Sequence, residues 1–273
     1  MSVWGISMMR DEADVAARTV LHLLEEGLDG VLVLDNRSVD GTGDQLRELA
    51  ETHGCVSVID DPDPAYYQSA KMTHLARLAH DHHGAEWIVP FDADEVWYST
   101  EGRLGDVLRG VTRTDPLLVI GAPLYNHFAT SIDQTTGNPF IDLEWRQPQP
   151  GALPKVIFRW DDRLDQIDQG NHSVTIAGHS FDGTVAGHSI ELRHFPYRSF
   201  EQFCRKARNG AEAYAATTLP ETAGAHWRQY GRILDLHGPD ALREVYDTWF
   251  WHLAPVEAGL IHDPAPWRRW AEP

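Results

Sequence analysis

Lysine is scarce in this sequence, whereas negative charge is abundant. Only Lys71, Lys155 and Lys206 occur among 23 basic residues, against 41 acidic residues, which gives a net charge of −18. A chain with this charge repels nucleic acids and anionic membrane surfaces, so we expect no nucleic-acid partner. An anionic ligand would need locally reversed charge, supplied by a metal ion or by a few cationic side chains.

Cysteine is also scarce, and long apolar runs are absent. Cys55 and Cys204 lie far apart in the chain, which excludes a disulfide framework and is typical of a reducing compartment. No window contains the ~20 consecutive apolar residues of a membrane helix, and the N-terminus does not resemble an export signal. We therefore expect a soluble, cytoplasmic protein without a membrane span.

Hydrophobic patterning in the first hundred residues predicts alternating strands and helices. Short continuous apolar runs predict buried strands at residues 3–9, 30–35, 56–60 and 87–91. Apolar residues at helical spacing predict helices at residues 12–26, from residue 42 onward, and at 68–80. This order is typical of an α/β fold with a mainly parallel sheet flanked by helices.

The second half of the chain has a more mixed pattern. A strand is predicted at residues 117–125, and the polar stretch 130–154, with its glycines and prolines, predicts a mobile loop. Residues 155–194 have β character and turn signals, which predicts mixed or antiparallel strands. The pattern then becomes helical: Ser199 begins a capping box, and residues 238–240 open the last helix.

Three carboxylates follow the strand predicted at residues 87–91. In a turn at the end of a strand, Asp92 and Asp94 can converge on one Mg²⁺ or Mn²⁺ that bridges two phosphate oxygens of a nucleotide. The alternative is a solvated turn, but open α/β sheets bind ligands at the carboxyl ends of their strands, which favours the metal. His194 ends a later predicted strand and would complete a ligand set that suits Mn²⁺ better than Mg²⁺.

Polar residues also follow the first two predicted strands. Arg10 and Glu12 come after the first strand and Asp35 ends the second, so we expect these side chains to border one crevice. Asp35 can accept hydrogen bonds from a base or a ribose. The neighbouring Ser38 and Asp40 can equally cap the helix that follows.

Three segments together carry a family resemblance. Residues 8–13, 35–42 and 92–95, in this order and spacing, resemble the opening of the family 2 glycosyltransferases. The resemblance implies the GT-A fold of nucleotide-diphospho-sugar transferases and an inverting transfer of a sugar to a hydroxyl-bearing acceptor. The donor would be a UDP, TDP or GDP sugar. Residues 155–159, 170–174 and 193–206 resemble a soluble bacterial branch of the same family.

The resemblance also assigns regions and residues. It implies a catalytic unit at residues 1–198, with a nucleotide-binding half at 1–100 and an acceptor half at 101–198, followed by a helical extension at 199–273. The residues expected to border the nucleotide are Arg10, Glu12, Asp35, Arg37, Lys71, Asp92, Arg198 and Lys206. The metal, Mn²⁺ or Mg²⁺, is expected at Asp92, Asp94 and His194.

Three residues are candidates for the general base. Related sequences often carry Glu directly after the His that corresponds to His172, but Ser173 stands at that position here. His172 and Asp168 are the nearest groups able to accept the proton of an acceptor hydroxyl, and Glu95 is the third candidate.

Basic and aromatic residues in the last third admit two interpretations each. The cationic patch formed by Arg198, Arg205, Lys206 and Arg208 either neutralises a diphosphate or is a solvated helical face paired with nearby glutamates. Of ten tryptophans, five fall between residues 227 and 270; most are expected to pack helices, and one or two to stack on a sugar.

The carboxylates that follow the strand at residues 87–91 are crowded and repel each other. We therefore expect that replacing Asp94 leaves the stability of the metal-free protein nearly unchanged.

Two other functions are compatible with part of this pattern. A sugar nucleotidyltransferase also uses carboxylates and a metal, but it would be expected to show a Gly-rich, basic phosphate loop, and none is present. A catalytically silent sugar-binding or scaffold protein of the same fold is the second alternative, because Ser173 replaces the expected Glu.

Overall fold

A six-stranded mixed sheet forms the centre of the molecule. The computed structural model describes residues 1–111, 119–133, 136–183, 189–248 and 255–264. The strands of the central sheet are β1 (Val3–Met9), β2 (Gly30–Asp35), β3 (Val56–Asp60), β4 (Trp87–Pro90), β6 (Val119–Ala122) and β9 (Lys155–Arg159). Their spatial order is β3-β2-β1-β4-β9-β6.

The sheet is parallel at one side and antiparallel at the other. Strands β3, β2, β1 and β4 run parallel, so their carboxyl ends meet at one edge of the sheet. Strand β9 runs antiparallel to β4, with Ile88 opposite Phe158, and this pairing brings the start of β9 to the same edge. Polar residues that follow β1 and β4, or precede β9, therefore meet there.

Helices cover both faces of this sheet. The helices of the described residues are α1 (Ala16–Glu25), α2 (Thr42–Thr52), α3 (Gln68–His83), α4 (Leu104–Gly110), α5 (Pro139–Asp142), α6 (Phe200–Ala215) and α7 (Ala225–Asp247), of which α1 to α4 contribute to the two cores beside the sheet. Alternate residues of β2 point to opposite faces: Val31 and Val33 pack in the core with α1, α2 and α4, whereas Leu32 and Leu34 pack with α3. This two-sided burial explains the continuous apolar runs in the sequence.

A second, three-stranded sheet continues from the turn after β4. It consists of β5 (Glu95–Ser99), β13 (Ile190–His194) and β7 (Leu124–Asn126), in the order β5-β13-β7. The register places His194 opposite Glu95 and beside Asn126. The remaining strands are β8 (Trp145–Arg146), β10 (Leu164–Ile167), β11 (Val174–Ile176), β12 (His179–Phe181) and β14 (Ile261–His262).

The strands predicted in the first half are confirmed, with small differences at element ends. The fourth strand stops at Pro90, and α1 begins at Ala16 rather than Glu12, because the backbone of Val15, with φ at −131°, is not helical. The strand predicted at 117–125 is two strands, β6 and β7, separated by Pro123; residues 117–118 lie outside the described residues.

The stretch 130–154, predicted to be a mobile loop, contains local structure. It includes α5 and β8, and the Asn138 side chain accepts a hydrogen bond from the Phe140 amide at 3.2 Å. Residues 134–135 lie outside the described part of the chain. The antiparallel pairings of β10 with β11 and β11 with β12 confirm the predicted β character of the segment that follows.

The helical C-terminal region is confirmed. Ser199 caps α6 by accepting a hydrogen bond from the Gln202 amide at 3.1 Å. Helix α7 runs past the predicted start at residues 238–240, with a kink at Gly238, where φ is 77°. Phe203 of α6 packs against Leu242 of α7 in a small core. Across the part of the chain that the structure describes, no helix is long and apolar enough to cross a membrane.

Candidate active site

A cavity of about 360 Å³ opens at the carboxyl ends of β1 and β4. Its polar wall comes from the turn after β4, the start of β9, the end of β13 and one face of α6. The turn is fixed because the Phe91 amide donates to the Ile6 carbonyl at 3.0 Å and the Phe195 amide donates to the Asp94 carbonyl at 2.9 Å. The central sheet and the second sheet thus hold the acidic turn from both sides.

Asp94 lies at the centre of this polar wall, and 3% of its side chain is exposed. It forms an ion pair with Lys206, and its carboxylate lies 3.6 Å from the Arg198 guanidinium and 3.7 Å from the His194 imidazole. Burial alone would raise the pKa of Asp94, but Lys206, His194 in its protonated form, and Arg198 outweigh it and hold the pKa well below the usual range. Asp94 is therefore ionised.

The tautomer of His194 is set by its neighbour. The Nδ1–H of His194 donates to Asn126 Oδ1 at 2.8 Å, because a carbonyl oxygen can only accept. In the neutral imidazole, Nε2 then carries a lone pair, and it faces Asp94 Oδ1 across 3.7 Å. Two acceptor atoms that face each other in this way fit a shared divalent cation.

The pair of Asp94 and His194 fits a cation that takes only a few of its ligands from the protein. Within the described ranges, no three His, Cys, Asp or Glu side chains form a metal-binding group. Mg²⁺ in nucleotide sites commonly takes one or two carboxylates from the protein and completes its shell with phosphate oxygens and water. Asp94 supplies one such carboxylate, and the imidazole of His194 beside it suits Mn²⁺ better than Mg²⁺. The third predicted ligand, Asp92, lines the same cavity but pairs with Lys155.

Lys155 joins two carboxylates of the acidic turn. Its ammonium lies 2.7 Å from Asp92 and 2.7 Å from Glu95, and 5% of its side chain is exposed. Asp92 also accepts hydrogen bonds from Asn171 and Gln68, each at 3.3 Å. Burial opposes the charge of Lys155, but Asp92 and Glu95 outweigh it and raise the pKa of Lys155.

Glu95 is fully buried below this ion pair. Its carboxylate accepts a hydrogen bond from the Asp92 amide at 3.0 Å, and it does not line the cavity. Burial raises the pKa of Glu95 to about 7, against the opposing effect of Lys155. The third candidate for the general base therefore lies behind the cavity wall.

His172 lies on the cavity wall and Asp168 does not. The Nδ1–H of His172 donates to the Pro154 carbonyl at 2.8 Å, which leaves the lone pair on Nε2. Burial and the nearby Lys155 lower the pKa of His172, so the imidazole is neutral near pH 7. Asp168 accepts a hydrogen bond from Ser173 and closes the turn that carries His172.

The residues after β1 connect the cavity to α6. Arg10 and Glu12 both line the cavity, and Arg10 forms an ion pair with Glu212 at 3.2 Å. Glu12 pairs with Arg198, whose guanidinium also lies 2.6 Å from Asp14. Arg198 is thus buried behind the cavity and holds Glu12 in place.

Four residues predicted to border the nucleotide do not line the cavity: Arg198, which lies behind it, and Asp35, Arg37 and Lys71. Asp35 accepts hydrogen bonds from the Ser38 amide at 3.1 Å and from Arg47 at 3.3 Å. Arg37 is exposed in the turn after β2, where its φ is 61°. Lys71 forms an ion pair with Asp61 at 2.6 Å. The cavity residue from this region is Asn36, which follows β2 directly.

The sequence contained a signal for Lys155, which the site prediction missed. All three lysines of the chain pair with carboxylates: Lys71 with Asp61, Lys155 with Asp92, and Lys206 with Asp94. Because almost all other basic residues of the chain are arginines, the presence of lysine at positions 155 and 206 was a signal for a specific role of Lys155 and Lys206. The cavity also contains aromatic side chains whose position no local pattern predicts, namely Tyr66, Tyr197, Tyr214 and Trp227.

Among the solved structures that match the chain, three show low sequence identity and low TM-scores. The mannosyltransferase PcManGT from Pyrobaculum calidifontis, in complex with GDP-Man and Mn²⁺, is 16% identical, with a TM-score of 0.41; the match covers 99% of this chain and 76% of that one. Mannose-1-phosphate geranyltransferase from Thermus thermophilus is 10% identical over 97% and 72% of the two chains, with a TM-score of 0.32. A glycosyltransferase involved in the glycosylation of the major capsid of PBCV-1 is 12% identical over 58% and 60%, with a TM-score of 0.24.

Sequence comparison identifies the family. None of the curated proteins matches the chain in sequence. The sequence model described as glycosyl transferase family 2 matches residues 6–176, well over half of the chain. This region contains the central sheet, the acidic turn and His172, so the match agrees with both the fold and the resemblance in the motifs. The chain belongs to glycosyl transferase family 2 and is a glycosyltransferase with a GT-A-like fold.

Proposed function

We propose that this glycosyltransferase is inverting and metal-dependent and moves a sugar from a nucleotide-diphospho-sugar to a hydroxyl acceptor. One observation carries the proposal: a single cavity brings carboxylates, ammonium groups and imidazoles together, and six of these side chains suit the transfer. They belong to Asp92, Asp94, Lys155, Lys206, His172 and His194. Charge stabilisation for a diphosphate and a base for a hydroxyl are the two requirements of this transfer.

Asp94 and His194 are the proposed metal ligands, with Asp92 as the third. The facing acceptor atoms of Asp94 and His194 support the first two assignments. Asp92 would have to exchange its contact with Lys155 for the metal, whereas Asp94 can keep Lys206 on its second oxygen. When bound, a divalent cation supplies charge stabilisation for the leaving diphosphate.

The diphosphate is proposed to bind between the acidic turn and α6. Lys206 lines the cavity and contacts both Asp94 and Glu12, so its ammonium is fixed beside the proposed metal ligands. It provides positive charge in a chain with a net charge of −18. Arg198 acts from behind, since its guanidinium orients Glu12 and neutralises part of the charge of Asp94.

The nucleoside is proposed to lie along the ends of β1 and β2. Arg10, Glu12 and Asn36 line the cavity there. Asp35 and Arg37 flank Asn36 and remain candidates for contacts at the margin of the nucleoside. Lys71 would act indirectly, because it holds the loop at Asp61, which in turn accepts a hydrogen bond from Asn36 at 2.7 Å.

His172 is the proposed general base. Its neutral imidazole has a lone pair on Nε2 and lies on the cavity wall, whereas Glu95 is buried behind Lys155. Removal of the acceptor proton by this imidazole would let the hydroxyl oxygen attack the anomeric carbon opposite the leaving diphosphate, which inverts the configuration. Asp168 holds the turn that positions His172.

The test is release of nucleoside diphosphate by the purified protein from UDP, TDP and GDP sugars. We expect at least one donor to be hydrolysed or transferred with Mn²⁺ or Mg²⁺, and the rate to fall to background with excess chelator. NMR coupling at the anomeric proton of the product should show the configuration opposite to that of the donor. A retained configuration, or equal rates in chelator, would contradict the corresponding part of the proposal.

A further inference from the structure

The cavity has an aromatic wall that the proposed transfer chemistry does not use. Tyr66, Tyr214 and Trp227 line it together with the carboxylates and lysines. Tyr214 ends α6 and Trp227 begins α7, so both follow the region that matches the family, which stops at residue 176. These helices therefore add a surface of different chemistry to the family's catalytic region.

The rings are fixed before any ligand binds. The rings of Tyr66 and Tyr214 lie 4.8 Å apart at 45°, and the Tyr66 amide donates to the Ala213 carbonyl at 3.1 Å. The rings of Trp227 and Tyr214 also pack directly against two glycines, which have no side chain in the way. A Cβ on Gly210 would lie 2.9 Å from the Trp227 ring, and a Cβ on Gly224 would lie within 2.5 Å of the Tyr214 ring. Rigid rings lose little conformational entropy on binding.

The aromatic wall adjoins the proposed general base. Gln169 donates to the Tyr214 hydroxyl at 3.4 Å, and the Gly170 amide donates to Gln68 at 2.7 Å. Gln169 and Gly170 belong to the turn that carries His172. A ligand bound on this wall would therefore lie beside the turn that carries His172, which is where the acceptor hydroxyl has to be.

The charge of the region favours a neutral ligand. The chain carries a net charge of −18, and Asp92 and Glu212 lie at or near the cavity. Arg228, whose guanidinium lies 5.7 Å from the Tyr214 ring, donates its hydrogen bonds to the Tyr214 and Ala223 carbonyls and does not line the cavity. The cations that do line the cavity are each paired with a carboxylate, so a phosphorylated or acidic acceptor would have to compete for them; they are Arg10, Lys155 and Lys206.

We propose that Tyr66 and Trp227, backed by the buried ring of Tyr214, form the acceptor subsite and that the acceptor is a neutral saccharide whose ring stacks on Tyr66 and Trp227. A pyranose has an apolar C–H face and a polar hydroxyl rim, so it matches a wall of aromatic rings beside hydrogen-bonding groups. The inference rests on the proposed function, because it takes His172 as the group that receives the acceptor proton.

The test uses methyl glycosides of glucose, mannose, galactose and N-acetylglucosamine as probes. Saturation-transfer NMR on the wild-type protein, with a nucleoside diphosphate and Mg²⁺ present, should show binding of at least one glycoside, with the strongest transfer to ring C–H protons. Trp227→Leu and Tyr66→Leu should weaken that binding by roughly tenfold or more while nucleoside diphosphate affinity changes less than about twofold. Trp227→Phe, which keeps a ring, should retain most of the affinity.

Matched controls use aromatic residues outside the cavity. Trp160→Leu removes a ring that stacks on His80, and Phe181→Leu removes an exposed ring on β12; neither residue lines the cavity, so glycoside binding should stay unchanged. Thermal unfolding of each variant checks that it folds. If Trp227→Leu does not fold, glycoside binding by the wild-type protein and by Trp227→Phe still tests the proposed subsite.

Three results would overturn the inference. The first is a loss of nucleoside diphosphate affinity in Trp227→Leu with unchanged glycoside binding, which would assign the rings to the nucleobase. The second is no glycoside binding by a wild-type protein that still cleaves a donor, which leaves the transferase function intact. The third is equal weakening by the control variants. Failure of the proposed function is separate, since it appears as absence of donor cleavage whether or not glycosides bind.

Discussion

Lys206 of α6 forms an ion pair with Asp94, in the turn after β4. This contact joins the C-terminal helices to the centre of the catalytic region across 112 residues of sequence. It also changes the electrostatic character of the acidic turn. Because Lys206 and Arg198 approach Asp94, and Lys155 approaches Asp92 and Glu95, attraction between opposite charges outweighs repulsion between the carboxylates.

Asp94→Ala should therefore destabilise the protein even without metal, which reverses the expectation from the sequence. Loss of the buried carboxylate leaves Lys206 and Arg198 with Glu12 as their shared partner, and we expect a loss of about 1–3 kcal/mol in the free energy of unfolding. Urea unfolding in chelator measures it. Asp44→Ala, which removes an exposed partner of Arg47, should change stability by less than about 0.5 kcal/mol.

The stabilisation that Asp94 provides should decrease as the pH falls. Its folded pKa is held well below the ordinary value of 3.8, so the stabilisation is present above that value and is lost as the pH falls below it. The stability difference between wild type and Asp94→Ala should thus shrink on acidification below about pH 4. A difference that is already absent at pH 7 would show that the ion pairs contribute no net stability.

Lys155→Met should be more damaging, because it leaves Asp92 and Glu95 without their shared ammonium. We expect a loss of about 3–5 kcal/mol at neutral pH, as for a broken buried ion pair. The double variant Lys155→Met/Glu95→Gln should recover part of this loss, since one of the two carboxylates is then neutral. Additive effects in this double-mutant cycle would argue against the pairing of Lys155 with Glu95.

Glu95 should make stability fall as the pH rises. Its folded pKa is raised from 4.5 to about 7, so the stabilisation is fully present below pH 4.5 and is lost as the pH rises through about 7. In Glu95→Gln, which is always neutral, this decline should be missing. Between pH 5 and pH 8, wild type should lose on the order of 2–3 kcal/mol relative to the variant. Parallel stability curves for the two proteins would contradict the raised pKa.

Asn126→Ala should weaken Mn²⁺ binding without removing a metal ligand. Asn126 holds the Nδ1–H of His194 and so keeps the lone pair on the Nε2 that faces Asp94. Loss of such an orienting contact typically costs roughly 10–100-fold in metal affinity, and we expect about tenfold by isothermal titration with Mn²⁺ and a nucleoside diphosphate. Asn138→Ala, which removes only the cap of α5, is the matched control. Equal Mn²⁺ affinities in the two variants would show that His194 is not a metal ligand.

His172→Ala should lower turnover by roughly 10²–10⁴-fold while the donor still binds. Because burial lowers the pKa of His172, its basic form persists below the ordinary value of 6.5, and the acidic limb of the kcat profile should lie below that pH. His74→Ala, an exposed histidine on α3, should leave turnover unchanged. If His172→Ala instead weakened metal-dependent nucleotide binding at unchanged kcat, His172 would be a ligand rather than the base.

The order of elements in the first half was determined by local sequence. The continuous apolar runs around Ile6, Val33 and Ile88 are buried on both faces of the sheet, and that requirement gave strands β1 and β2 the bounds predicted from the sequence. The placement of Asp92 and Asp94 after a parallel strand also followed from sequence, since carboxyl ends of parallel strands share an edge. The helical start at Ser199 followed from its side-chain cap.

The composition of the site was decided by tertiary structure. The sequence alone placed Asp35 and Lys71 at the nucleotide, but Arg47 and Asp61 hold them away from the cavity lining. Lys155 reaches the acidic turn because β9 runs antiparallel to β4, a pairing between residues more than sixty positions apart. Helical and strand propensities act over a few residues, whereas ion pairs and pKa values depend on which distant side chains share a buried volume. Local sequence therefore determined the acidic turn, and only the folded chain determined that its charges are balanced by lysines.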